Sequence, residues 1–420
     1  MKYTERFHLL KERFDQECDT MSIPELGVRI ENHAFHSAGQ KFLMGESLYL
    51  CEEHGTRFQE SPPEEDPHLR VLRMEGLSVP DAHFANNREF RYSIFRPLGS
   101  KEPNGTILLL HGLNERYWFK YLPWAVRLVE LTGRAVCLFP IAFHMNRAPH
   151  EWGNPKRMLA VAEARRGLFP SVADASFANA AISARLQSIP QRFFWSGLQT
   201  YDDVVRLVRQ IRQGEHPSLE GESQIDFFAY SVGSFLSQIL LMSDEGGLFT
   251  RSRLVIFCGG PTFDRMCPVS RYIIDSEALI ALYSFFVEHL ENEFRRDARL
   301  DHYFNGGHAA GLYFKAMLAN RKLKETRESR FNELRDQIMA VALRQDTVIQ
   351  PVEVMNTLQG DFRDIPLPVH ILDFPFEYTH MNPFPPKPSL GDAVDEHFDR
   401  VFTLAASHFC RPNHTTDARH

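Results

Sequence analysis

The sequence predicts an α/β protein with a mostly parallel sheet, and two observations carry this prediction. The runs Thr106–Leu110 and Ile338–Leu343 are apolar without alternation, which is typical of strands buried on both faces. The first run is followed by a helical stretch that ends at Gly133, and then at once by a second apolar run, Ala135–Phe139. Strand, helix and strand joined by short connections indicate parallel βαβ units.

The remaining elements follow from the same patterns. They are a helix from Tyr3 to Cys18, strands at Arg70–Glu75 and Phe90–Phe95, a strand Ile225–Tyr230 with a helix Ser234–Met242, strands Leu254–Cys258 and Val369–Phe374, and a last helix Glu396–Phe409. Residues 141–215 and 261–337 do not fit a minimal alternation and predict insertions. We expect residues 1–69 to be an N-terminal extension and residues 70–420 to be the main domain.

Composition excludes several classes of protein. With 43% hydrophobic and 24% charged residues among 420, the chain is neither globally disordered nor fibrous. A net charge of −7 argues against a nucleic-acid binder, which needs a basic face. The 34 phenylalanines indicate a large aromatic core, an apolar pocket or both. Six scattered cysteines without a CxxC predict reduced thiols rather than a disulfide framework.

The sequence also predicts where the protein resides. Its first residues lack the apolar block of a signal peptide. The longest apolar stretch, Ala278–Val287, is far shorter than the roughly 18 residues of a membrane span. We therefore expect a soluble, cytoplasmic protein with no integral membrane segment.

The most informative segment surrounds Ser231. A buried strand leads directly into Ala229-Tyr-Ser-Val-Gly-Ser234, with small residues two positions before and after Ser231. A serine in a tight strand-to-helix turn needs such neighbours, because larger side chains would collide with the adjacent strand and helix. The turn exposes the hydroxyl above the sheet and directs the next amide, that of Val232, at an oxyanion. The alternative is an ordinary turn with a helix-capping serine.

Three further motifs follow predicted strands. His111-Gly112-Leu113 follows the first buried strand, Asp346 precedes a short apolar stretch and Pro351, and His380 lies in the loop after the last strand. With Ser231 they give the order serine, aspartate, histidine. In these motifs the chain resembles the α/β-hydrolase fold family over roughly residues 70–410.

The resemblance implies an eight-stranded, mostly parallel α/β-hydrolase sheet flanked by helices, with the two insertions forming a helical cap. It implies Ser231 as nucleophile, His380 as base and Asp346 as the acid that orients it, with the amides of Leu113 and Val232 as oxyanion hole. Asp373 is a rival acid, but it lies within a predicted strand. Candidate pocket residues are His111, Asn114, Tyr230, His144 and Arg147; the alternative for His144 and Arg147 is that they fix the cap to the body.

The expected function is a serine hydrolase acting on a carboxylic ester or related acyl substrate. Alternatives are a peptidase or thioesterase with the same triad, or a non-catalytic binding protein of this fold. No nucleotide-binding motif is present, so no organic cofactor is expected. His144, His150 and His302 lack HxH or HExxH spacing, so no metal is expected. The expected partner is a small-molecule acyl substrate, with homodimerisation through residues 1–69 left open.

Overall fold

Most of the predicted strands pair into one central sheet in the computed structural model, which describes residues 1–59, 79–99 and 105–411. The strands are β1 (Thr20–Ile23), β2 (Val28–His36), β3 (Leu48–Cys51), β4 (Thr56–Gln59), β5 (Glu89–Pro97), β6 (Thr106–Leu110), β7 (Ala135–Leu138), β8 (Ile225–Tyr230), β9 (Leu254–Phe257), β10 (Ile338–Leu343) and β11 (Val369–Leu372). Nine of these form the sheet in the order β1-β2-β5-β7-β6-β8-β9-β10-β11, and β3 and β4 form a separate hairpin.

The chain has the predicted α/β-hydrolase fold. From β7 to β11 all neighbours are parallel, whereas β1, β2 and β5 pair antiparallel at one side. Among the described residues the central sheet has nine strands rather than eight, because β1 and β2 join it from within residues 1–69. The predicted strand Arg70–Glu75 lies outside the described residues.

Fourteen α-helices accompany these strands in the described ranges. They are α1 (Tyr3–Arg13), α2 (Ala85–Arg88), α3 (Leu122–Thr132), α4 (Pro155–Leu168), α5 (Ala180–Ser188), α6 (Arg192–Arg212), α7 (Val232–Ser243), α8 (Ser276–Tyr283), α9 (Leu290–Arg296), α10 (Ala298–Asn305), α11 (Ala309–Leu318), α12 (Lys324–Glu333), α13 (Pro351–Leu358) and α14 (Gly391–Phe409). α1 ends at Arg13 rather than Cys18, because Phe14 is extended and stacks on Phe95.

The two faces of the sheet are covered by different helices. Successive side chains of a strand point to opposite faces. Accordingly, Ile107 and Leu109 of β6 pack into the layer formed by α1, α3 and α14, and Leu108 and Leu110 pack into the layer that contains α6, α7 and α13. Both faces of the central strands are thus buried, which explains why their sequences are apolar without alternation.

The two insertions lie between β7 and β8 and between β9 and β10, and they contact each other. Arg165 of α4 makes two hydrogen bonds of 2.7 and 2.8 Å to the carboxylate of Asp275, which caps α8. The backbone amide of Asp275 donates to Ser183 of α5. That the insertions act as a cap, and that a domain begins at residue 70, stay predictions. No helix in the described part of the chain is both long and apolar enough to cross a bilayer.

Candidate active site

Ser231 alone forms the turn between β8, which ends at Tyr230, and α7, which begins at Val232. Its φ of 54° lies in the left-handed region, a backbone conformation that costs on the order of 1–3 kcal/mol for a residue other than glycine. Gly233 is required beside it, because a Cβ there would lie 2.5 Å from the carbonyl oxygen of Leu110. The small residue two positions after Ser231 thus lets the helix start against β6.

The structure brings Ser231, His380 and Asp346 together. The hydroxyl oxygen of Ser231 is 2.9 Å from Nε2 of His380, and Nδ1 of His380 is 2.8 Å from Oδ2 of Asp346. All three residues are buried or nearly so. Tyr230 holds His380 in place, because its ring stacks on His380 at 5.3 Å and its hydroxyl donates to the His380 carbonyl oxygen. In such a hydrogen-bonded arrangement of serine, histidine and aspartate, the imidazole can accept the proton of the serine hydroxyl.

The loop after β10 presents the carboxylate of Asp346 with one oxygen free for His380. Its other oxygen, Oδ1, accepts the backbone amides of Val348 and Ile349, both at 2.9 Å. These bonds fix the rotation of the carboxylate. The rival acid Asp373 lies beyond β11 rather than within a strand, and its carboxylate is 44% exposed. The geometry therefore favours Asp346 as the partner of His380.

His111 holds the loop that follows β6. Its Nδ1–H donates to the Gly112 carbonyl oxygen at 2.8 Å, and its Nε2 accepts the amide of Ile141 at 2.9 Å. Burial, with a smaller contribution from nearby His144, lowers the pKa of His111 well below its ordinary value, so the ring is neutral. Both ring nitrogens are bonded to backbone, which indicates that His111 fixes this loop, and the pocket role predicted for it stays a prediction.

A second set of side chains, which the sequence analysis did not single out as a unit, ties the Gly112 loop to the His380 loop. The Gly112 amide donates to the hydroxyl of Tyr121 at 3.0 Å, and that hydroxyl donates to Glu115 at 3.0 Å. Lys120 forms an ion pair with Glu115 and donates to the carbonyl oxygen of Met381 at 3.1 Å. Tyr121 and Lys120 lie at the start of a helical pattern, which gave no signal of this role.

Leu113 and Val232 both line an apolar cavity that is partly open to solvent. The cavity is enclosed mainly by aliphatic and aromatic side chains of α5, α6, α7 and α11, among them Ile182, Leu186, Phe193, Phe235, Leu236 and Phe314. It therefore lies between the loops at the carboxyl ends of β6 and β8 and helices of both insertions.

Arg147 does not reach this cavity. Its guanidinium is fully buried and is 2.9 Å from the carboxylate of Asp203. It also donates to the side chain and backbone of Asn87 and to the Pro140 carbonyl oxygen, each at 3.1 Å. Every one of these contacts lies within the fold, which favours the alternative, a bracing role, and the substrate contact stays a prediction.

His144 and Asn114 have different surroundings. His144 lines the apolar cavity; its Nδ1 bonds the Ala142 carbonyl oxygen at 2.9 Å, and within the described residues its Nε2 has no partner. Asn114 donates to the carbonyl oxygens of Ala178 and Tyr272 at 2.8 and 2.7 Å. Asn114 thus joins the loop after β6 to both insertions, and any contact with substrate stays a prediction.

The sheet order, the turn at Ser231 and the flanking helices are those of an α/β-hydrolase fold. More narrowly, residues 1–410 match the model of a family of unknown function, DUF6051, and the chain belongs to this family. No curated protein matches the sequence.

Solved structures similar to the chain include three esterases. Carboxyl esterase 2 from the fungus Tuber melanosporum is 12% identical, with 76% of this chain and 82% of that chain covered and a TM-score of 0.41. A thermostable esterase from Pseudomonas putida is 11% identical, with coverages of 90% and 99% and a TM-score of 0.39. An esterase from Pyrobaculum calidifontis is 13% identical, with coverages of 83% and 96% and a TM-score of 0.39. Similarities this low assign no activity to the chain.

Proposed function

We propose that the protein is a serine hydrolase that cleaves carboxylic esters with an apolar acyl group. The observation that carries the proposal is the continuous chain from Ser231 through His380 to Asp346, with contacts of 2.9 and 2.8 Å, at a residue whose backbone is held in a strained turn. Backbone strain of this kind clusters at functional sites.

In the first step, the hydroxyl oxygen of Ser231 attacks the ester carbonyl carbon. Nε2 of His380 takes the hydroxyl proton as the new C–O bond forms. Asp346 holds the Nδ1–H of His380, so that Nε2 keeps its lone pair, and it stabilises the imidazolium that results.

The carbonyl oxygen becomes negatively charged in this step, and the amides of Leu113 and Val232 would stabilise it. Val232 is the first residue of α7, so its N–H has no acceptor within the helix and is free for an external one. A helix N-terminus also favours negative charge. Losing one such donor typically costs about 10²–10³ in rate.

The tetrahedral intermediate then collapses. The ester C–O bond breaks, His380 gives its proton to the departing alkoxide, and the acyl group stays on Ser231. Water, deprotonated by His380, attacks the acyl-serine ester through the same oxyanion hole. The carboxylic acid leaves, and Ser231 regains its proton.

The cavity supports an apolar acyl group as the part of the substrate that is recognised. Leu113 and Val232, the two expected oxyanion donors, lie in its wall, so a carbonyl bound at their amides would direct its chain toward the aliphatic and aromatic lining. Each buried methylene contributes about 0.8 kcal/mol. Longer acyl chains should therefore react with higher kcat/KM until the cavity is full.

A panel of 4-nitrophenyl esters from acetate to decanoate tests the proposal. We expect hydrolysis by the wild-type chain and a loss of about 10⁶-fold in kcat for Ser231→Ala, the order typical of removing a nucleophile. Ser237→Ala is the matched control, because Ser237 is a buried serine of α7, the helix that follows Ser231, and its hydroxyl donates to the Gly233 carbonyl oxygen. Equal hydrolysis by wild type and Ser231→Ala would refute the assignment.

A further inference from the structure

A second cluster of reactive side chains lies at the junction of the β3–β4 hairpin and the helices of the second insertion. Cys51 ends β3, and His54 lies in the hairpin turn. His302 lies on α10, and His308 immediately precedes α11. One sulfur and three imidazole nitrogens, one from each residue, all lie within 4.8 Å of one another.

Four of the six distances among these atoms match the edges of a tetrahedron around one ion, and all six are within 4.8 Å. Zn–N bonds of about 2.05 Å and a Zn–S bond of about 2.3 Å give N–N edges of about 3.3 Å and S–N edges of about 3.6 Å in a regular tetrahedron. Nε2 of His302 is 3.3 Å from Nδ1 of His54 and 3.2 Å from Nε2 of His308. The sulfur of Cys51 is 3.7 Å from Nδ1 of His54 and 3.5 Å from Nε2 of His308.

We propose that Cys51, His54, His302 and His308 bind a zinc ion. One thiolate and three neutral imidazoles form a mixed N/S donor set that suits Zn²⁺, whereas Mg²⁺ and Ca²⁺ prefer oxygen ligands. The thiol of Cys51 loses its proton to solvent when the sulfur bonds the ion, so binding weakens as pH falls.

Glu53 completes the arrangement from outside the ligand set. Its carboxylate oxygen lies 2.8 Å from Nδ1 of His308, whereas the other ring nitrogen, Nε2, would bind zinc. A carboxylate in this position fixes the tautomer and orientation of a zinc-binding histidine and increases its basicity. The ring of Tyr303 stacks on the same imidazole at 4.6 Å.

Four protein ligands leave no coordination position for a substrate, so the ion has a structural role. It would join the hairpin to the start of α11, the helix that contributes Ala310 and Phe314 to the wall of the apolar cavity. The site is separate from Ser231 and does not depend on the proposed hydrolase activity.

Metal analysis of the wild-type chain tests this proposal. After dialysis against metal-free buffer we expect about one zinc per chain by inductively coupled plasma mass spectrometry. X-ray absorption should show one sulfur at about 2.3 Å and three nitrogens at about 2.0 Å from zinc. Folded wild-type protein that neither contains zinc nor takes it up on titration would overturn the proposal, as would a different metal or an all-oxygen shell.

Variants locate the ion. Cys51→Ser and His308→Ala should lose the bound zinc, and Glu53→Gln should bind it about 10- to 100-fold more weakly. His289→Ala is the matched control, because His289 is a histidine of the same insertion whose side chain is 58% exposed. Equal zinc loss from the control would refute the assignment. If a ligand variant does not fold, the wild-type spectrum still decides the matter, and Ser231→Ala should keep its zinc whatever its activity.

Discussion

Replacing Asp346 by asparagine exchanges one carboxylate oxygen for an NH₂ group and should stop His380 from acting as a base. In the native structure Oδ1 accepts two backbone amides and Oδ2 faces Nδ1 of His380. The asparagine oxygen will keep the two amide bonds, so its NH₂ group will face Nδ1. Nδ1 must then become an acceptor, which moves the imidazole proton to Nε2, opposite the Ser231 hydroxyl. In this tautomer His380 cannot take the serine proton.

The expected loss in kcat is about 10⁴-fold, the typical cost of this tautomer change in a serine triad. At 1.36 kcal/mol per factor of ten, this is about 5.4 kcal/mol of transition-state stabilisation. The shape of the side chain and its two backbone bonds are kept, so the melting temperature should change little. Ester hydrolysis measures kcat, the rate of reaction with a fluorophosphonate measures the reactivity of Ser231, and a thermal melt measures the melting temperature.

Asp373→Asn is the control for this experiment. Asp373 begins the loop that contains His380, and its carboxylate accepts hydrogen bonds from Gln345 and Tyr378. This carboxylate is half-exposed and is not the partner of His380. It should keep wild-type activity. The reasoning is wrong if Asp346→Asn retains activity within tenfold of wild type, or if the two variants lose activity equally.

Three further outcomes follow from burial and shape. Arg147→Met leaves the buried carboxylate of Asp203 without its partner and should lower the unfolding free energy by about 3–5 kcal/mol in denaturant melts; an altered KM with unchanged stability would contradict this. Leu236→Trp should fill the cavity and reduce kcat/KM for octanoate at least about tenfold relative to acetate; equal effects on both esters would show that the chain binds elsewhere. Burial lowers the pKa of His144 from 6.5 to about 4, so the unfolded chain binds more protons than the folded chain between these pH values. The unfolding free energy should therefore fall by on the order of 3 kcal/mol as pH drops through this window. His144→Gln should make the melting temperature depend less on pH, and an unchanged dependence would refute the cause.

The parallel half of the sheet and the Ser231 turn could be predicted because both leave local signals. The run Thr106–Leu110 is apolar on every residue after Thr106, and it forms a strand with these bounds. The small residue at position 233 reflects close packing against β6, since a Cβ on Gly233 would lie 2.5 Å from the Leu110 carbonyl oxygen. The strand β1 left no such signal, because Thr20–Ile23 is a short antiparallel edge strand that carries one buried apolar residue.

Contacts between distant segments could be predicted only where the family resemblance supplied them, as for Ser231, Asp346 and His380. For Arg147 the sequence left open a substrate contact or a bracing role, because its partner Asp203 lies 56 residues away and nothing in the local sequence shows that the pair is buried. The cluster of Cys51, His54, His302 and His308 could not be predicted for the same reason. Its two halves are separated by about 250 residues, and neither half has a complete metal-binding motif. Single-segment patterns report secondary structure and tight turns, whereas such clusters arise only from the fold.

Covalent labelling of the wild-type chain by a fluorophosphonate, followed by peptide mass spectrometry, tests the central claim most directly. The account predicts one adduct per chain, on Ser231, that forms rapidly at neutral pH and is strongly slowed in His380→Ala. A folded wild-type chain that forms no adduct, or an adduct on another residue, would contradict the assignment of Ser231 as an activated nucleophile.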